Sequence, residues 1–175
     1  MPVASFAQTS QALIWALGCL FGLLSSTPSL ASELYGRVVG VSDGDTITVL
    51  DAHQVTHKVR LSGIDAPEKA QAYGERAKQQ LSDKVFQESV RVIHDKTDRY
   101  GRIVGKVTLN GEDVNLQMIH AGLAWHYKAY EDEQPALDRV TYPLAELNAR
   151  RKAIGLWGDV EPVPPWEWRR NKRQH

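Results

Sequence analysis

Asp43-Gly44-Asp45-Thr46-Ile47-Thr48-Val49 opens, and Arg60-Leu61-Ser62-Gly63-Ile64-Asp65-Ala66-Pro67-Glu68 closes, the stretch whose reading decides the fold. Ile47 and Val49 alternate with Thr46 and Thr48, and Val55, Val59 and Leu61 alternate with Thr56, Lys58 and Arg60. Successive side chains of a strand point to opposite faces, so this alternation suits two half-buried strands. A hairpin between them brings the polar ends together and gathers Asp45, Asp65 and Glu68 beside the Arg60 guanidinium. Carboxylate oxygens are hard ligands suited to Ca²⁺ or Mg²⁺, and an arginine fork matches a pair of phosphate oxygens. Asp-Gly alone is a common turn, and Asp-x-Pro-Glu alone is an ordinary entry to a helix. The joint pattern is far more specific than either piece.

Outward from this stretch, Leu34 to Val41 predicts a first strand. From Ala70 to Phe86 the period changes: Ala77, Leu81 and Val85 recur four residues apart, as an amphipathic helix requires. Val90 to His94 predicts a fourth strand. After a polar loop, Ile103, Val107 and Leu109 share one face of a fifth, where Gly105 marks a close backbone approach or a bulge. Asn110-Gly111 makes a turn and Asp113 caps a second helix carrying Leu116, Ile119 and Leu123. A last helix runs from about Pro135 to Ile154, with Leu137, Val140, Leu144 and Leu147 on one side. Pro143 either kinks it or moves its regular part to Thr141. Five short strands and three helices suggest an α+β fold built on a small OB-type barrel, although periodicity alone admits other α+β arrangements.

The opening stretch is followed downstream by Asp98-Arg99-Tyr100-Gly101-Arg102. Together the two resemble the paired signatures of the staphylococcal nuclease (thermonuclease) family, over roughly Leu34 to Trp157. The resemblance implies the OB barrel and a Ca²⁺-dependent, largely sequence-nonspecific nuclease acting on DNA or RNA. It also implies roles. Asp45, Asp65 and the main-chain carbonyl of Ala66 would hold Ca²⁺; Glu68 would be the general base; Arg60 and Arg102 would grip the scissile phosphate. Arg99 and Tyr100 match positions that contact phosphate and sugar, and Tyr130, ahead of Tyr127, is the candidate for base stacking. Family members often carry Thr where Ala66 stands. Asp43 either meets the metal through water or shapes the turn.

Only four residues separate Glu68 from Tyr73, fewer than in the best-known member, which bears on the freedom of Glu68. The tail Pro164-Pro165-Trp166-Glu167-Trp168-Arg169-Arg170 is extra, and its aromatics are expected to pack on the barrel rather than to stack on bases. The competing function is a non-catalytic OB module that binds single strands or a peptide. Degenerate relatives of that kind lose some of these Asp, Arg and Glu positions, and this chain keeps them all.

The 175 residues carry 21 basic and 21 acidic side chains, so any hold on nucleic acid must come from local patches. Residues 1–31 contain no Asp, Glu, Lys or Arg, and Ala12 to Leu24 is apolar over the length of a signal-peptide core. Cleavage after Ser29-Leu30-Ala31 is expected, with a membrane anchor as the competing reading. The expected plan is a signal peptide (1–31), a nuclease domain (32–158) and a basic Pro/Trp-rich tail (159–175), giving a secreted or periplasmic monomer free of the membrane. Cys19, a conceivable lipidation point, lies in the leader, so the mature chain has no disulfide or thiolate chemistry. His53 and His57 have no third ligand nearby, which argues against zinc.

Overall fold

The computed structural model describes Met1 and residues 32–174; the leader expected over 1–31 lies, but for Met1, outside the described residues. The elements are β1 (Ser32–Asp43), β2 (Thr46–Asp51), β3 (Thr56–Leu61), β4 (Ile64–Asp65), α1 (Gly74–Val85), β5 (Ser89–Thr97), β6 (Ile103–Leu109), β7 (Glu112–Asp113), α2 (Val114–His120), β8 (Trp125–His126), α3 (Asp138–Arg151) and α4 (Pro165–Lys172). Five strands pair in the order β3-β2-β1-β5-β6, and β6 returns to β3 to close the barrel. That seam is parallel, with Val59 opposite Ile103 and Arg60 opposite Val104. β1 serves two neighbours because register shifts after Val38 and after Val41 bend it. The chain is thus an α+β protein on an OB-type barrel.

The inward residues are those the alternation selects. Val38, Ile47, Val49 and Val59 are fully buried, and Val92 and Val107 join them from β5 and β6. Val55 departs from the expected pattern: it precedes β3 in the turn and lies exposed. Gly105 answers to a close approach, since a Cβ there would meet Val92 Cγ1 at 2.7 Å. α1 places Ala77, Leu81 and Val85 on the barrel as its period requires. α2 begins at the expected cap, Asp113, whose carboxylate accepts from Leu116 N at 2.9 Å. Truncating Ile47 or Leu81 to Ala would cost about 2–5 kcal/mol.

α3 corrects the sequence reading. Leu137, Val140, Leu144 and Leu147 do share one side, but it faces solvent. The buried side is Asp138, Tyr142, Ala145, Glu146 and Ala149. Its polar members are satisfied: Lys106 Nζ donates to Asp138 at 2.5 Å, and Tyr142 OH donates to Asp113 Oδ2 at 2.9 Å. Polar partners on β7 and β6 therefore select the face. α3 runs continuously through Pro143. The tail adds a fourth helix beyond the expected three. α4 starts at Pro165, where a missing N–H costs nothing. Trp166 packs edge-on against Trp125, with ring centroids 5.6 Å apart, so the tail does pack on the body. Among the described residues, no helix is long and apolar enough to cross a membrane.

Candidate active site

The site forms where the β2–β3 hairpin meets β4. Thr46 stands opposite Arg60 in the hairpin, and Leu61 N donates to Asp45 O at 2.8 Å, so Asp45 and Arg60 are neighbours by register. Gly44 lets this turn lie under α1, because a Cβ there would meet Ala77 Cβ at 2.6 Å and Ala66 Cβ at 2.7 Å. Asp65 is held from the other side by β8, where it pairs with Trp125.

Arg60 joins the two acids. Its Nη1 pairs with Asp45 Oδ2, and its Nη2 donates to Asp65 Oδ1 at 2.8 Å and to Ile64 O at 3.3 Å. Asp45 also accepts from Ala66 N at 3.0 Å and from Thr46 Oγ1 at 3.0 Å. Both carboxylates are buried, Asp65 almost completely. Of the carboxylates expected beside Arg60, Asp45 and Asp65 meet its guanidinium, and Glu68 does not bond to it directly.

Glu68 reaches the cluster through a residue that sequence reasoning did not place there. Arg169, on α4, donates from Nη1 to Glu68 Oε1 at 2.7 Å. The same guanidinium donates to Asp65 Oδ1 at 3.2 Å and Oδ2 at 2.8 Å. The short loop behind Glu68 is closed tightly. Glu68 N donates to Gln71 Oε1 at 3.1 Å, and Gln71 Nε2 donates to Val163 O at 2.6 Å. Gly74 permits the closure, since a Cβ there would sit 1.9 Å from Glu68 O. Glu68 itself stays open to solvent.

The electrostatics of the cluster are set by burial and by these ion pairs. Burial and the neighbouring Asp45 push Asp43 up to about 6, while its carboxylate accepts from Asp45 N at 3.1 Å and so shapes the turn. Burial acts against ionised Asp45, but Arg60 and the Ala66 amide outweigh it and hold the carboxyl below its ordinary value. Burial pushes Asp65 up, and Arg169 and Arg60 hold it back. Burial also opposes the Arg60 charge, yet Asp45 and Asp65 more than offset that. Four carboxylates (Asp43, Asp45, Asp65, Glu68) face two guanidiniums, which leaves two negative charges uncompensated.

This donor set fits a hard divalent cation: all oxygen, net negative, with two carboxylates already spanning one guanidinium. Among the described residues no three His, Cys, Asp or Glu side chains form a metal group. Two carboxylates and one main-chain carbonyl do not require such a group.

Arg102 is not joined to the carboxylates. It stands one residue before β6, beside the strand that carries Arg60, and is held by Asp98 of its own loop at 2.7 Å. Arg99 donates to Tyr100 OH at 2.8 Å, and both Arg99 and Arg102 lie over the exposed Tyr100 ring, at 4.9 Å and 5.5 Å. Tyr130 is exposed in the turn after β8 and lies 5.6 Å from Tyr127, which in turn lies 5.6 Å from Trp166. An aromatic row thus leads from the buried Trp157 and Trp125 out to Tyr130. Sequence reasoning missed Arg169 as part of the site, and its only signal was composition, the tail being basic and rich in Trp.

Residues 58–159 match the family model described as staphylococcal nuclease homologue. The chain belongs to the staphylococcal nuclease family. Among its relatives, an uncharacterized endonuclease of Haemophilus influenzae is 44% identical over 137 residues, covering 78% of this chain and 74% of the relative. Protein ParB of Escherichia coli is 44% identical, covering 92% and 93%. A micrococcal nuclease of Shigella flexneri is 40% identical, covering 93% and 95%. The matched family segment holds Arg60, Asp65, Ala66, Glu68, Arg99, Tyr100, Arg102 and Tyr130; Asp45 and Arg169 lie outside it.

Proposed function

We propose that this member of the staphylococcal nuclease family, a phosphodiester hydrolase, cleaves DNA or RNA with little sequence preference and depends on Ca²⁺. The observation that carries the reading is the junction of Asp45 and Asp65 on one guanidinium, with Glu68 beside them. Asp45, Asp65 and the Ala66 carbonyl would hold the cation. When bound, it supplies Lewis-acid neutralisation of charge developing on the phosphoryl oxygens. Glu68 accepts the proton of the attacking water. Arg60 is preset beside the reacting phosphate, and Arg102 swings from Asp98 to meet it from the other side. Forked donors aimed at oxygens whose charge grows in the transition state stabilise it more than the ground state.

Tyr130 and Tyr127 offer ring faces to bases of any kind, which supports nonspecific cutting. Export after cleavage at Ala31, a monomeric state, and the division into a nuclease domain and a tail complete the proposal. Purified residues 32–175 should cut single-stranded DNA, duplex DNA and RNA with Ca²⁺ and should stop with chelator. Tight oligonucleotide binding without any cleavage would favour the non-catalytic OB module instead.

A further inference from the structure

The contact between Arg169 and the carboxylates joins residues 104 positions apart and comes from outside the family-matched segment. It is a built contact. The guanidinium grips Asp65 with both Nη atoms and Glu68 with one, and Asp65 is 1% exposed. Its helix is anchored twice on the N-terminal side of Arg169. Trp166, three residues earlier, packs against Trp125, the strand partner of Asp65. Upstream, the Val163 carbonyl accepts from Gln71, which also holds the Glu68 backbone. The tail is therefore fastened to the two segments that carry the site.

We propose that Arg169 is a tethered stand-in for the divalent cation: it neutralises Asp65 and Glu68 in the metal-free enzyme and gives up Asp65 when the metal enters. This rests on the calcium reading above. A carboxylate as buried as Asp65 is costly without a counter-charge, and Arg60 alone must also serve Asp45. Arg169 removes that cost when no metal is present. A positive charge on the same carboxylate then competes with Ca²⁺, so the enzyme trades metal affinity for a site that stays assembled. While seated, Arg169 also occupies Oε1 of Glu68, which leaves one oxygen of the base free. Metal entry and the setting of the base are thereby linked through one side chain that holds both acids.

The test is calorimetric titration of Ca²⁺ alone into the wild type and Arg169→Gln, with thermal melts of both in chelator and in saturating Ca²⁺. Removing one positive charge beside the ligands should tighten Ca²⁺ binding by at least about tenfold. In chelator the variant should melt below wild type, because Asp65 loses a partner. In Ca²⁺ the gap should narrow, because the cation takes that partner's place. If Arg169→Gln does not fold, Arg169→Lys keeps the charge and loses the fork, and should shift both readouts in the same direction by less. Unchanged or weaker Ca²⁺ binding in the variant, or a melting gap that Ca²⁺ does not narrow, overturns the proposal and leaves the nuclease reading standing. Failure of the wild type itself to bind Ca²⁺ overturns the calcium reading and this proposal with it.

Discussion

Arg60 and Arg102 flank the same parallel seam of the barrel, one inside β3 and the other one residue before β6. Their surroundings differ in kind. Arg60 is wedged between two buried acids from different elements and also bonds the Ile64 carbonyl. Arg102 is paired with one partly exposed acid four residues away in its own loop. An arginine between buried carboxylates is part of the architecture, since neither charge can be removed without stranding the other. An arginine paired locally near solvent gains little from that pair and is free to exchange it for a phosphate. Both suit a phosphate clamp, one as its fixed jaw and the other as its moving one.

The contrast is broken most directly by stability. Arg60→Gln strands buried Asp45 and leaves Asp65 to Arg169 alone, and should cost about 3–5 kcal/mol in metal-free protein, whereas Arg102→Gln should cost under about 1 kcal/mol. Urea denaturation in chelator compares them, and equal losses would show that the two settings do not differ as described.

A smaller effect is expected from Arg102→Lys. It should lower kcat by about two orders of magnitude, the scale of losing one transition-state donor, while binding of uncleaved oligonucleotide moves only a few-fold. A change in KM alone would make Arg102 a simple tether for substrate.

Smaller still is Asp43, the acid of the cluster without a guanidinium of its own. Its folded value of about 6 lies above its ordinary 3.8. The folded state therefore holds the proton more tightly, and the stability this contributes is lost as pH rises through about 6. In chelator at pH 8, Asp43→Asn should be more stable than wild type by about 1 kcal/mol, after allowing for solvent contact. The advantage should shrink as pH falls to 5. A constant difference across that range would remove the charge repulsion from the account.

Much of this was legible in the chain because it is local. Alternation wrote β2 and β3, and register then brought Asp45 and Arg60 together without further information. The i, i+4 spacing of Ala77, Leu81 and Val85 was equally plain, since α1 buries its only apolar stripe. α3 was misread because it has two candidate faces, and the stripe of Leu137, Val140, Leu144 and Leu147 is the more apolar one. The buried face was selected by partners such as Lys106, 32 residues from Asp138, which no window around α3 contains. Arg169 was illegible for the same reason on a larger scale. A basic residue in a basic tail carries no mark of the acid it meets 104 positions earlier.

The central claim is that Asp45 and Asp65 hold the cation while Glu68 activates the water. Glu68→Gln keeps size and hydrogen bonding but cannot take a proton at neutral pH, so Ca²⁺ affinity and cleavage rate measured together on this variant and on Asp45→Asn test it most directly. Glu68→Gln should lose about two to four orders of magnitude in kcat with Ca²⁺ affinity within a few-fold of wild type, while Asp45→Asn loses the metal. Equal loss of Ca²⁺ affinity in the two variants would make Glu68 a ligand and contradict its assignment as the base.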